Sequence, residues 1–127
     1  MKTILVDAIN GLIEENGSVF QEMFELLEKY PNPKITLTGA NEEQFEKFRL
    51  SDCPYEVFSL KHDPEKSSPE YFKTMLEHYH LNPKEVVYFE HNIEAVNSAK
   101  SLGIPTLFYD HTKRNLSELK DFLDNNL

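Results

Sequence analysis

The chain has 127 residues, a length typical of one domain, and 39% hydrophobic residues, which is enough for one core and excludes global disorder. Its formal net charge of −9, from 22 acidic side chains against 13 lysines and arginines, argues against nucleic acid and anionic membranes as partners. The single cysteine excludes an internal disulfide, and no apolar run approaches the length of a membrane span. These features together predict a cytoplasmic protein.

The first part of the chain predicts two strands, each followed by a helix. Residues 3–6 are an unbroken apolar run, which is typical of a strand buried on both faces of a parallel sheet. Ser18 and Gln21 have the spacing of a capping box, which predicts that Ser18 is the N-cap of the first helix. Lys34–Thr38 is the second predicted strand, and Asn41 is expected to cap a short helix after it.

The rest of the chain continues this alternation. Further strands are predicted at residues 55–60, 86–89 and 106–109. Three further helices are predicted to begin at Ser68-Pro69, after Asn92 and at Leu116. Five strands alternating with five helices predict a three-layer, Rossmann-like α/β domain with a parallel sheet, because parallel strands need crossover connections.

Polar residues follow several of the predicted strands. Open parallel sheets bind ligands beyond the carboxyl ends of their strands. At those ends lie Asp7, Thr38, and the neighbours Glu90 and His91, while Lys66 follows the third strand. Carboxylate oxygens suit Mg²⁺, and an ammonium and a hydroxyl suit phosphoryl oxygens. The pattern indicates a site for a phosphoryl group and a metal.

Four segments resemble, in the right order, the motifs of the haloacid dehalogenase (HAD) superfamily, whose members are mostly phosphatases that act through a phospho-aspartate. Val-Asp-Ala-Ile-Asn-Gly-Leu-Ile at 6–13 is similar to the opening motif, and Ile-Thr-Leu-Thr at 35–38 to the second. Lys-Ser-Ser-Pro-Glu-Tyr-Phe at 66–72 is similar to the third, and residues 88–104 resemble the fourth. The resemblance implies the HAD-like fold with strand order 5-4-1-2-3.

The resemblance also implies roles for individual positions. The position of the nucleophile, a carboxylate that attacks phosphorus or carbon, is Asp7. The positions that bind the phosphoryl group are Thr38, Gly39 and Lys66. The positions that hold a divalent metal are Asp7, Ile9 through its carbonyl, Glu90 and His91. Two further histidines, His62 and His111, are expected at the surface beside the site.

Three departures from the family pattern predict impaired catalysis. Ile9 replaces a second aspartate that acts as general acid and base, and such a loss typically costs about 10² to 10⁴ in rate. His91 replaces the main metal-binding aspartate, so Mg²⁺ binding is expected to be weak. Only residues 13–34 separate the first two motifs, which leaves room for one helix and predicts a single domain over 1–127 without a cap.

Two alternatives stay open at this point. A second alignment pairs residues 10–13 with the opening motif and puts Ala8 at the nucleophile position, but the Asp7 alignment keeps the strand end in place. In function, the chain is either a catalytically impaired descendant of phosphatases or a slow hydrolase with Asp7 as nucleophile. The first would bind a phosphorylated or other anionic ligand, a protein partner or a second copy. We prefer it because of Ile9, His91 and the missing cap.

Overall fold

The computed structural model describes residues 1–127 and consists of five strands that alternate with five helices. The strands are β1 (Thr3–Asp7), β2 (Lys34–Thr38), β3 (Glu56–Ser59), β4 (Val86–Glu90) and β5 (Thr106–Phe108). The helices are α1 (Gln21–Leu27), α2 (Glu42–Lys47), α3 (Pro69–Tyr79), α4 (Ile93–Ser101) and α5 (Leu116–Asn126). Two short 3₁₀ helices lie at Leu50–Asp52 and Pro83–Glu85. The predicted alternation is confirmed. None of these helices has the length and apolar character needed to cross a membrane.

All neighbouring strands of the sheet are parallel, in the order β3-β2-β1-β4-β5. This order confirms the predicted 5-4-1-2-3, read from the other edge. The central strand β1 aligns Asp7 with Leu37 of β2 and Val6 with Phe89 of β4. The carboxyl ends of β1, β2 and β4 therefore reach the same edge of the sheet, which brings together the side chains that end these strands.

The sheet separates the core into two clusters because successive side chains of a strand point to opposite faces. One cluster packs alternate residues of β1 and β4 against α1 and α5. The other packs the intervening residues against α3 and α4. Every residue of β1 and β4 is buried, as predicted for strands that are covered on both faces. Both strands extend one residue further than predicted, so their last residues, Asp7 and Glu90, are buried carboxylates.

The helix caps confirm three predictions and correct one. Asn41, Ser68 and Asn92 each accept hydrogen bonds from backbone N–H groups in the first turn of their helices. Ser18 does not cap α1, which begins three residues later. The Ser18 hydroxyl and its backbone N–H both donate to the side chain of Asn16, so a tight turn before the helix already uses this side chain.

Candidate functional site

Asp7 leads into a tight turn that fixes its side chain at the edge of the sheet. The Asp7 carbonyl accepts a hydrogen bond from Leu12 N–H at 3.0 Å, and Asn10 has a positive φ of 68°. A Cβ at Gly11 would lie 2.3 Å from the Asp7 carbonyl oxygen, so only glycine fits there. Ala8 is fully buried in the core, whereas Asp7 lines a surface pocket. The geometry therefore supports the alignment that places Asp7, not Ala8, in the site.

Lys66 bridges the two buried carboxylates. Its Nζ donates to Asp7 Oδ1 at 3.0 Å and to Glu90 Oε1 at 2.8 Å. Both carboxylate side chains are 1% exposed. Two like charges in a poorly solvated environment repel strongly, and an ammonium placed between them offsets that repulsion.

His91 contacts the other oxygen of each carboxylate. Its backbone N–H donates to Asp7 Oδ2 at 3.1 Å, and its Nδ1 lies 2.5 Å from the same oxygen. Nδ1 is also 3.3 Å from Glu90 Oε2. Because an ionised carboxylate only accepts hydrogen bonds, Nδ1 carries the hydrogen in this arrangement. We call Asp7, Lys66, Glu90 and His91 the charged centre.

Glu90 has two further hydrogen-bond donors. The Tyr88 hydroxyl donates to Oε1, and the Asn92 backbone N–H donates to Oε2 at 3.1 Å. Every oxygen of the two carboxylates in the charged centre thus has a donor from the protein. The contact with Tyr88 has a simple origin, since residues two apart on a strand share a face.

Burial and neighbouring charges oppose each other in setting the pKa values of the charged centre. Burial lowers the pKa of His91, but its hydrogen bonds to Asp7 and Glu90 and their charges outweigh burial and raise it to about 10. Burial also lowers the pKa of Lys66, and the same two carboxylates raise it above its ordinary value. Near neutral pH, both nitrogen groups therefore carry a positive charge.

The two carboxyl groups differ in the direction of their shifts. Burial raises the pKa of Asp7, the charge of Glu90 raises it further, and Lys66 and His91 oppose both. Burial acts in the same direction on the pKa of Glu90, but Lys66 and the hydrogen-bond donors hold it below its ordinary value. Glu90 is therefore the more strongly ionised member of the pair.

The charged centre lines a surface pocket of about 370 Å³. Ile9, Thr38 and Gly39 also line this pocket. The Thr38 hydroxyl oxygen accepts a hydrogen bond from Ala40 N–H at 3.2 Å, which leaves the hydroxyl hydrogen for another acceptor. The backbone N–H groups of Ile9 and Gly39 donate to no acceptor within the protein. The pocket thus contains several hydrogen-bond donors that a ligand can use.

His62 covers the rim of the pocket beside Gly39. Its Nε2 lies 2.5 Å from Gln44 Oε1, and its Nδ1 lies 3.1 Å from Glu65 Oε2. A Cβ at Gly39 would lie 3.4 Å from the His62 ring. His62 therefore links α2 to the loop that carries Lys66. We call His62, Gln44 and Glu65 the rim.

The donors around the two carboxylates do not fit a Mg²⁺ ion. Asp7, Glu90 and His91 offer ligand atoms within 4.8 Å of one another, so the acidic cluster expected from the sequence exists. Mg²⁺ needs nearly octahedral oxygen ligands at about 2.0–2.1 Å. Here Lys66 and His91 place nitrogen donors against the oxygens that would bind it. The site as built suits N–H donors and not a hard cation.

The structure brings the candidate residues from the sequence together at one edge of the sheet. Those in the charged centre are Asp7, Lys66, Glu90 and His91, and those that line the same pocket around it are Ile9, Thr38 and Gly39. Sequence reasoning missed Tyr88, although its position two residues before Glu90 was an available signal. His62 and His111 lie beside the site, as predicted. The His111 ring packs edge-on against His91, with centroids 4.9 Å apart.

No protein-family model and no curated protein match this chain. Solved structures do match. A haloacid dehalogenase-like protein of unknown function from Agrobacterium tumefaciens has a TM-score of 0.59 and 17% identity, over 69% of this chain and 43% of that one. A HAD-superfamily hydrolase of subfamily IA from Geobacter sulfurreducens has a TM-score of 0.58 and 12% identity, over 84% of this chain and 85% of that one.

A third similar structure holds ligands. It is a HAD family enzyme from Bacteroides thetaiotaomicron in complex with magnesium and inorganic phosphate, with a TM-score of 0.52 and 18% identity, over 80% of this chain and 53% of that one. The chain thus spans about half the length of the Agrobacterium and Bacteroides proteins and most of the Geobacter protein. Identities this low establish the fold alone. From its strand order and these likenesses, the chain has the haloacid dehalogenase-like fold.

Proposed function

We propose that this chain is a catalytically impaired, uncapped HAD-like protein that binds the oxyanion of a phosphorylated ligand in the pocket of its charged centre. The observation that carries the proposal is that both carboxylate oxygens of Asp7 already accept hydrogen bonds within the protein. Its Oδ1 accepts from Lys66, and its Oδ2 accepts from both the backbone N–H and the ring of His91. Neither oxygen of this carboxylate is free of a hydrogen-bond donor, so its attack on phosphorus would first have to break one of these contacts, which makes it a poor nucleophile.

The pocket also lacks a group suited to proton transfer two residues after Asp7. Ile9 lines the pocket at this point, and its side chain cannot protonate a leaving group or activate water. Without that step, the departure of an alkoxide and the hydrolysis of a phospho-aspartate are both slow. These features favour binding over turnover.

The hydrogen-bond donors of the pocket define the ligand chemistry. The Thr38 hydroxyl and the N–H groups of Ile9 and Gly39 are available to oxygen acceptors. Lys66 and His91 offset the charges of Asp7 and Glu90, so these four side chains together present no net negative charge to an oxyanion. The oxyanion can therefore accept hydrogen bonds from the donors of the pocket. The Bacteroides structure contains inorganic phosphate, which makes phosphate the natural probe.

The acidic residues at the edge of the pocket narrow this ligand class. Glu65 and Glu94 line the pocket and oppose a second or third phosphoryl group through like charge. A monophosphate is therefore favoured over a polyphosphate. The ligand can be a small molecule or a phosphorylated side chain of a partner protein, since both present the same oxyanion.

The test is a titration of inorganic phosphate and of a simple phosphate monoester, measured by calorimetry at low ionic strength. We expect both to bind, and Thr38→Val to weaken binding by about 10-fold, because it removes a hydrogen bond to a charged ligand. Thr36→Val is the matched control, since Thr36 is buried on the same strand outside the pocket. Failure of the folded wild type to bind phosphate or the monoester would overturn the proposal.

A slow phosphatase is the second candidate, favoured by the convergence of Asp7, Thr38 and Lys66 on one pocket. In that case an activated aryl phosphate should show a burst followed by slow turnover, because its leaving group needs no proton. Ile9→Asp should then raise turnover by about 10-fold or more, and Asp7→Asn should abolish it. Under our proposal, the wild type and Asp7→Asn are equally inert towards both aryl and alkyl phosphates.

A further inference from the structure

The two buried carboxylates of the charged centre share a single ammonium, that of Lys66. Asp7 and Glu90 are each 1% exposed and both contact the same ammonium. One ammonium offsets one carboxylate, which would leave one buried negative charge without compensation. Such a charge is strongly destabilising, and a second cation in contact with the pair would relieve it.

The His91 side chain lies where such a cation would contact both carboxylates. Its Nδ1 is 2.5 Å from Asp7 Oδ2 and 3.3 Å from Glu90 Oε2. Lys66 contacts the other oxygen of each carboxylate, Asp7 Oδ1 and Glu90 Oε1. The two nitrogen groups therefore divide the four oxygens between them, and His91 contacts both carboxylates.

We infer that the His91 imidazole replaces a divalent cation in this site, so that the pocket binds a phosphoryl oxyanion without metal. This inference rests on the proposed oxyanion binding and adds how the site achieves it. Both nitrogens of an imidazolium donate hydrogen bonds. Nδ1 serves the carboxylates, and Nε2 is the donor left for an oxygen of the ligand.

The His91 ring is held from two sides, which suits a fixed binding group. Asp7 Oδ2 accepts from both the backbone N–H and Nδ1 of His91, and this double contact restricts rotation of the side chain. The His111 ring packs edge-on against it at a centroid distance of 4.9 Å. A donor fixed before the ligand arrives loses little conformational freedom on binding.

Replacing His91 with a carboxylate should make phosphate binding depend on a metal ion. His91→Asp changes a positive charge into a negative one, a difference of two charges, which equals the charge of one Mg²⁺ ion. The variant would place three carboxylates around one ammonium and offer oxygen ligands that suit a hard cation. Phosphate binding to this variant should therefore depend on Mg²⁺.

The experiment is a calorimetric titration of inorganic phosphate into the full chain, once with EDTA and once with Mg²⁺. The wild type should give the same affinity within about 2-fold in both conditions. His91→Asp should lose binding in EDTA and recover at least about 10-fold in affinity with Mg²⁺. His80→Asp, on an exposed helix end away from the pocket, makes the same histidine-to-aspartate substitution and should behave as the wild type.

A second variant, His91→Gln, distinguishes the loss of the positive charge from misfolding of His91→Asp. Its amide retains a donor without the charge, so phosphate binding should weaken in both conditions without rescue by Mg²⁺. Wild-type binding that requires Mg²⁺, or His91→Asp that binds normally in EDTA, would overturn the inference and leave the proposed function standing. Absence of phosphate binding to the folded wild type in both conditions would instead overturn the proposed function.

Discussion

Two lysines of this protein form ion pairs of nearly equal length in opposite surroundings. Lys66 Nζ lies 2.8 Å from Glu90, and Lys61 Nζ lies 2.9 Å from Glu42. The side chains of the first pair are 15% and 1% exposed, and those of the second are 60% and 86% exposed. Length therefore says little about the importance of either pair. Burial decides it, because water screens the exposed charges and cannot solvate a buried charge that loses its partner.

The largest expected effect is the loss of the buried ammonium. Lys66→Met should lower the free energy of unfolding by about 3–5 kcal/mol, because it leaves two buried carboxylates with His91 as their only cation. Urea denaturation followed by circular dichroism measures this loss. Lys61→Met is the matched control and should leave the urea midpoint unchanged, since both partners of its pair are exposed. Equal losses in the two variants would contradict the comparison.

The backbone around Asp7 provides a second contrast between the charged centre and the rim. Gly11→Ala would place a Cβ 2.3 Å from the Asp7 carbonyl oxygen, so the turn must shift, and we expect a loss of about 2–3 kcal/mol in unfolding free energy. Gly39→Ala would place its Cβ 3.4 Å from the His62 ring, a contact that a small movement of the side chain relieves. The same denaturation experiment should show less than about 1 kcal/mol for this control.

The elements that carry the site were predictable because each depends on a local pattern. The apolar runs predicted the buried strands, and Asn41, Ser68 and Asn92 predicted three helix starts. The same reasoning failed at Ser18. Nothing in the spacing shows that the hydroxyl and the backbone N–H of Ser18 donate hydrogen bonds to the side chain of Asn16. Strand order came from the family resemblance and not from residue patterns.

The sequence predicted which residues lie near one another in the site, but not which of their atoms are in contact. Strand ends that meet at one edge placed Asp7 near His91, but the link between their side chains joins residues 84 positions apart. No periodicity shows which nitrogen faces which oxygen. The contacts of the rim were not predicted for the same reason, because His62 was expected beside the site but meets Gln44 only through the folding of its loop onto α2.

The charged centre should also give stability a pH dependence through His91. The folded pKa of His91 is about 10, above the ordinary histidine value of about 6.5. Its stabilisation is therefore complete below about pH 6.5 and is lost as pH rises through the folded pKa. The groups that face His91 are Asp7 and Glu90, which carry the stabilising charge, and the His111 ring.

We expect the urea midpoint of the wild type to fall between pH 7 and pH 10 and the midpoint of His91→Gln to fall less over the same interval. Lys66 does not interfere in this window, because its pKa is raised above the ordinary lysine value. Parallel curves for the two proteins would show that His91 carries no stabilising charge.

The smallest expected effect concerns the rim itself. His62 is partly exposed, with 37% of its side chain accessible, so water replaces its contacts with Gln44 and Glu65 when they are lost. His62→Ala should therefore lower the unfolding free energy by less than about 1 kcal/mol. Its effect should be local, since these contacts tie the loop that carries Lys66 to α2. Hydrogen exchange of the amides of residues 61–67 should accelerate while the exchange of β1 and β4 stays unchanged. A fall in the urea midpoint as large as that of Lys66→Met would mean that the rim, and not only the charged centre, supports the global fold.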